Sequence, residues 1–426
     1  MRVIRNATLP DGRERDVAID DGTIAAVGAE LAGETLADAS GKWLFPGMID
    51  VHVHFRQPGF PEKETWTTGS RAAAAGGVTT VVDQPNTDPP TVDGASFDRK
   101  AEFAADSLVD WGLNGGVTPD WQPTELFDRP LFALGEVFLA DSTGDMGIEG
   151  SLFKTALERA TDAGVVTTVH AENAGYFDEG VTGREDPAAW SDFRPPQAEV
   201  VAIAQAVEAA TERDAQLHVA HASTPEGIDQ AAAAGATTEV TPHHLFLSTD
   251  DCEDLGTFGR MNPPLRDETR RLAVYDRVAD GTVDVIATDH APHTREQKDT
   301  DIWSAPSGVP GVETALPLLL AEVKAGRLEA ERVRDLTARN PARIFGLPRK
   351  GRIEAGTDAD LVLVDPTAER EIRGGDLHGK TDWTPFAGMT GVFPEMTMVR
   401  GSIVWESADP TEAEGSFGDP VGQNVR

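Results

Sequence analysis

Short apolar runs alternate along the chain with longer Ala- and Glu-rich stretches of helical character. The runs that read as strands are Met48–His54, Val78–Asp83, Val109–Val117, Phe132–Phe138, Val165–His170, Gln216–His221, Thr237–Thr241 and Val283–Asp289. Helix-like segments such as Ala198–Thr211 and Pro225–Ala234 fall between most of them. Eight strand–helix units over about 300 residues predict an α/β fold, a (β/α)8 TIM-type barrel spanning residues 46–345. A doubly wound open sheet has the same alternation, and periodicity alone does not separate the two.

Both flanks carry a different pattern. Val17-Ala18-Ile19 and Thr23-Ile24-Ala25-Ala26-Val27 bracket Asp20-Asp21-Gly22, a hairpin signature, yet residues 1–45 are too few for a core of their own. The far end offers a partner: Gly351-Arg352-Ile353, the run Asp360–Asp365 and the stretch Met398–Val404 also read as strands around turns. The two ends, 1–45 and 346–407, are therefore expected to pair into one small β-sandwich domain. Residues 408–426, acidic and Gly-containing, are expected to form a loose tail.

Composition narrows the function classes. With 426 residues and 39% hydrophobic content the chain can bury a large core. Its formal charge is -35, from 72 acidic and 37 basic residues, and only eight of the basic residues are lysine. Such a surface repels phosphate backbones, which argues against nucleic-acid binding. The acid is spread along the chain rather than gathered in a tail, as suits a halophilic protein whose self-repulsion is screened by salt. A single cysteine, Cys252, excludes an intramolecular disulfide. Met1-Arg2-Val3-Ile4-Arg5 runs straight into strand-like sequence and no apolar run approaches spanning length, so a cytoplasmic protein without a membrane partner is expected. A homo-oligomer is compatible with the sequence.

The chemistry gathers where the strands end. In Pro46–Gly59 an apolar run leads into His52 and His54, which share one face of a strand because alternate residues point the same way. His170 closes the fifth strand, His221 the sixth and Asp289 the eighth. Any one of these has the plain explanation of a hydrogen-bonded core residue. Four strands of one barrel ending this way do not, since catalytic groups of such barrels sit at the carboxyl ends of the strands. Imidazoles and a carboxylate with open positions suit a hydrolytic zinc site, where the metal lowers the pKa of bound water towards neutrality.

These residues resemble the amidohydrolase superfamily, and within it the dihydroorotase branch related to allantoinases and dihydropyrimidinases. The likeness runs from the first strand to Asp360, through Gln84-Pro85-Asn86-Thr87, the run Glu239–Leu245, Met261-Asn262-Pro263-Pro264-Leu265-Arg266, Asp289–His293, Gly308–Thr314 and Asn340-Pro341-Ala342-Arg343. It implies two zinc ions per subunit, with His52, His54 and Asp289 on the first and His170 and His221 on the second. Asp289 would also move the proton between the attacking water and the leaving nitrogen. His218 would not be a ligand. Where the family usually holds the two metals on a carboxylated lysine or an aspartate, this chain departs and has Glu136, which offers the same two oxygens on a shorter side chain. Glu136 is the expected bridge, Asp141 the reserve candidate and a single-metal site the alternative.

The resemblance also implies a substrate. Arg56 would answer the carboxylate of dihydroorotate with a charge-assisted bidentate bond, where the related allantoinases carry Asn. Asn86 and His293 match further contacts to that carboxylate, and Asn262 with the backbone at Ser307 and Gly308 match contacts to the ring amide; His54 also borders the substrate. The expected small-molecule reaction is reversible closure of N-carbamoyl-L-aspartate to (S)-dihydroorotate in pyrimidine synthesis. An allantoinase- or dihydropyrimidinase-like amidase and an inactive scaffold homologue are the alternatives. Lys63 and Glu64 are expected to order the loop after the first strand. His243 and His244 would either orient ligands or pack, His290 would be structural, and Ala72–Ala75 would be packing.

Overall fold

The computed structural model describes residues 1–139 and 146–426. Eight parallel strands form the barrel: β1 (Met48–Val53), β2 (Val78–Asp83), β3 (Asp110–Leu113), β4 (Leu134–Leu139), β5 (Thr167–Ala171), β6 (Leu217–Val219), β7 (Thr237–Val240) and β8 (Val285–Ile286). One ladder joins β1–β2–β3 and another joins β4–β5–β6–β7–β8. Parallel bridges Gly115–Leu134 and Val53–His290 close the ring between β3 and β4 and between β8 and β1. An open doubly wound sheet is thereby excluded.

The strands are buried on both faces, which is why they appear as near-continuous apolar runs. Ile49, Val51, Val285 and Ala287 pack with Ala342, Phe345 and Leu347 near the last helix of the barrel. Asp50 of β1 accepts from Thr288 N (3.0 Å) and Thr288 Oγ1 (2.6 Å), tying β1 to the end of β8. Outer helices begin at the expected signals. Thr224 caps Pro225–Ala233 with Pro at its first turn, and Asp93 caps Gly94–Ala104 through a reciprocal bond with Ser96.

The chain ends merge into a nine-stranded sheet curled round a core of Ile4, Val17, Ile19, Leu44, Leu361, Leu363, Met396 and Met398. The join is Trp43–Pro46 running antiparallel to Leu361–Glu371, with Pro46 opposite Leu361. Only Gly47 separates this strand from β1, so the β-domain grips the barrel at the root of the His-x-His strand.

Two expectations need correction. Gly351–Ile353 is a bend outside every strand. The 408–426 segment is not loose: Ser416–Phe417 pairs with Ser402–Glu406, Gly422 N donates to Ser107 O (3.0 Å), and Val425 N donates to Trp111 O (2.9 Å). Backbone bonds hold it, and these leave no trace in an acidic composition. Several ladders are also shorter than their apolar runs. Regular pairing in β8 stops at Ile286 because Thr288 turns its hydroxyl onto Asp50 and Asp289 adopts φ 46°. No described helix is long and apolar enough to cross a membrane.

Candidate metal centre and active site

The ends of β1, β4, β5, β6 and β8 bring His52, His54, Glu136, His170, His221 and Asp289 together, all buried. His52, His54 and Glu136 form one group able to hold a metal ion, and Glu136, His170 and His221 form a second, with ligand atoms within 4.8 Å of one another in each. Glu136 belongs to both. Its Oε1 lies 2.6 Å from His221 Nε2 and 3.1 Å from His170 Nδ1, while Oε2 lies 3.4 Å from His52 Nε2. Asp289 Oδ1 joins the first group, 2.9 Å from His54 Nε2 and 3.5 Å from His52 Nε2. Asp141 lies outside the described residues.

Buried carboxylates behind the imidazoles decide which nitrogen faces inward. His52 Nδ1 stands 2.6 Å from Glu239 Oε1, which assigns the proton to Nδ1 and turns Nε2 towards Glu136 and Asp289 with no hydrogen bond of its own. Glu172 Oε2 does the same for His170, 3.2 Å from its Nε2, and is itself held by Arg194. Glu239 uses its other oxygen on His218 Nε2 (3.1 Å), so His218 faces away from the cluster. Glu239 and Glu172 carried no role in the sequence reading. The signal was present in the alternation: Glu172 follows His170 by two positions, and Glu239 is an acid within a strand otherwise built for burial.

The field at this point calls for positive charge. Burial works against ionising Glu136, but His52, His221 and His170 outweigh it and hold the carboxyl well below its usual range. Asp289 is likewise held low against burial by His54, His52 and His221. Burial would lower His52, yet Glu239 and Glu136 raise it well above an ordinary imidazole. Bare imidazole nitrogens and ionised carboxylates converging in a dry pocket fit a pair of cations.

The cluster opens into a small cleft bordered also by Arg56, Asn86, Asn262, Ser307 and Gly308. It opens into a wider vestibule reached by His293, Lys63 and Arg260. Arg56, at φ 64°, is buried with no carboxylate within 4 Å among the described residues. Burial pushes its pKa down to about 10, and Asp289 and Asp83 oppose that, so the guanidinium stays charged at neutral pH. Its Nε donates to Pro292 O at 3.3 Å. Nη2 lies 3.2 Å from His293 Nε2, but that nitrogen also sits 2.9 Å from Ser307 O, which assigns it the proton and leaves nothing for Arg56 to donate to there.

Two amides are oriented by their oxygens. Asn86 Oδ1 faces His54 Nδ1 (2.7 Å), which leaves its NH2 for the cleft. Asn262 Oδ1 accepts from Trp190 Nε1 (3.0 Å) and Ser307 Oγ (3.2 Å), which does the same. Gly308 lines the cleft, yet its N–H donates to Arg260 O (3.0 Å) and is not free for a ring amide. Its part is room: at φ 126°, a Cβ would meet Ala291 O at 2.5 Å.

The remaining residues fall into supporting places. Gln57 Oε1 accepts from Trp66 N (2.9 Å), starting the helix Trp66–Ala75. Glu64 takes Thr65 N and Lys380 N and orders its loop. His244 bonds Thr241 Oγ1 and Pro263 O and so packs. His243 is buried close enough to Asp289 and His221 to feel both charges. His290 Nδ1 accepts from Gly311 N (3.1 Å) and is structural.

A closed parallel barrel with paired metal-ligand groups at the strand ends defines a metal-dependent hydrolase scaffold, and the amidohydrolase family model matches residues 43–404. The chain belongs to the amidohydrolase family. Among curated proteins it is 64% identical to the dihydroorotase of Halobacterium salinarum, over 97% of this chain and 99% of that one. It is 42% identical to the dihydroorotase of Methanosarcina acetivorans, over 98% and 93% of the two chains. Among solved structures, L-hydantoinase (dihydropyrimidinase) from Arthrobacter aurescens superposes with a TM-score of 0.93 at 30% identity, covering 99% of both chains.

Proposed function

We propose that this chain is a cytoplasmic, zinc-dependent dihydroorotase that interconverts N-carbamoyl-L-aspartate and (S)-dihydroorotate. The observation that carries the choice of substrate is Arg56, a buried guanidinium facing the cleft beside the metal groups with no carboxylate partner among the described residues. Leaving such a cation unpaired is costly unless a ligand anion completes it. Dihydroorotate brings that carboxylate; the uncharged rings of dihydropyrimidines and hydantoins do not. The full ligand set argues against an inactive scaffold.

His52, His54 and Asp289 would hold one zinc ion, His170 and His221 the other, with Glu136 between them. Bound there, the metals would polarise the ring amide carbonyl and make water available as hydroxide at neutral pH. Arg56 and the Asn86 amide fix the substrate carboxylate, and the Asn262 amide faces the ring. In hydrolysis, Asp289 accepts the proton of the attacking water and returns it to the ring nitrogen as the amide C–N bond breaks. Cyclisation runs the same proton the other way. Glu136 offers its two oxygens without carboxylation, so metal loading should not depend on bicarbonate.

The test is metal analysis of the wild-type protein beside Glu136→Ala. The expected result is about two metals in the wild type, independent of added bicarbonate, and at most one, with turnover lost, in the variant. Unchanged occupancy and rate in Glu136→Ala would refute the bridge.

A further inference from the structure

Behind the site lies a buried ion pair that takes no part in the chemistry. Lys100, in the helix Gly94–Ala104, is 0% exposed, and its ammonium meets the Asp83 carboxylate and the main-chain oxygen of Gln84. Burial lowers the pKa of Lys100, and Asp83 opposes that. Both acceptors lead directly into the site. Asp83 Oδ1 accepts the N–H of Phe55, the residue between His54 and Arg56, at 2.6 Å. The Gln84 side chain donates to Val51 O (3.1 Å), and its oxygen accepts from Asn114 Nδ2 (3.0 Å) and from the N–H of Glu136 (2.8 Å).

We propose that the Lys100–Asp83 pair and Gln84 act as positioning residues that set the backbone of the metal bridge and of the substrate arginine. This rests on Glu136 being the bridge. Three features favour positioning over packing. Arg56 holds a left-handed backbone at φ 64°, which a non-glycine residue keeps only when its neighbours over-determine it. Glu136 reaches the cluster on a short side chain, with few torsions to absorb a shift of its own backbone. A buried ion pair kept only for stability could be exchanged for apolar residues at little cost.

The test uses three full-length variants: Gln84→Met, Lys100→Met, and Lys100→Met combined with Asp83→Leu. Metal affinity is read by chelator competition, fold stability by the unfolding midpoint, and KM for dihydroorotate by steady-state kinetics. Gln84→Met removes the acceptor of Glu136 N, and metal affinity should fall about 10–100-fold, in line with other losses behind metal ligands. The double variant removes the buried charges together. It should regain the unfolding midpoint that Lys100→Met loses, while KM stays raised about tenfold or more because Phe55 N has lost its acceptor. Should Lys100→Met fail to fold, the double variant still carries the test. Wild-type metal affinity in Gln84→Met together with wild-type KM in a stable double variant would overturn the inference. Retention of both metals by Glu136→Ala would instead overturn the bridge beneath it.

Discussion

At the scale of single residues, the site works by giving two of its imidazoles, His52 and His170, a buried carboxylate on the far side, while His54 has the Asn86 amide oxygen there. Glu239 holds His52, and Glu172 holds His170, at 2.6 and 3.2 Å. Burial raises the pKa of Glu239, but His52 and His218 outweigh it and bring it to about 2, so this acid is ionised at every working pH. Glu239→Gln keeps the shape and removes that charge. Metal affinity should fall about 10–100-fold with a nearly unchanged unfolding midpoint, measured by chelator competition; unaltered affinity would show that the pairing with His52 is only structural. The His52/His54 pair was legible in the sequence because strand alternation places both on one face. Glu239 and Glu172 stand out only as acids in or just after buried strands, and that pattern does not say which imidazole each one faces across the barrel. Gly308 was partly legible: its place in the cleft was anticipated, but its N–H is spent on Arg260 O.

At the scale of elements, the barrel was readable from its alternation, and the pairing of the two chain ends from the strand-like runs at each. The eight apolar runs correspond to β1–β8, yet several ladders stop early because site residues leave regular geometry. Arg56, His221 and Asp289 all have positive φ, at 64°, 34° and 46°. Hydrophobic pattern marks burial and is silent about backbone conformation. It is also silent about what fastens the β-domain to the barrel. Lys350, 6% exposed, bonds Asp110 Oδ2 on β3 at 2.7 Å and Asp360 Oδ2 beside the terminal sheet at 2.6 Å. Arg400 and Gln423 N also converge on Asp110, so this staple holds the C-terminal segment as well. Lys350→Met would leave the buried Asp360 carboxylate without its cation, while Asp110 keeps Arg400, and should cost about 3–5 kcal/mol, read from denaturant midpoints. A loss below about 1 kcal/mol would show that the pair is effectively solvated.

At the scale of the whole molecule, a chain of charge -35 presents cations at the mouth of its site. Arg56, Lys63 and Arg260 reach the vestibule with no carboxylate within 4 Å among the described residues. Arg260 stacks 3.7 Å over Trp190, whose indole in turn fixes Asn262. At molar salt the Debye length is only about 3 Å, so the acidic surface neither repels an anionic substrate at distance nor lets these cations steer one. Recognition must come from contact, and Arg56 is the contact. The most direct measurement is kcat/KM on (S)-dihydroorotate beside 5,6-dihydrouracil, the same ring without its carboxylate, with the metal counted and the buffer at high salt. Dihydroorotate should be preferred at least about a thousandfold, as sites with buried polar groups reject ligands that leave them unpaired, and Arg56→Met should abolish most of that preference. Comparable rates on the two rings, or an undiminished preference in Arg56→Met, would contradict it.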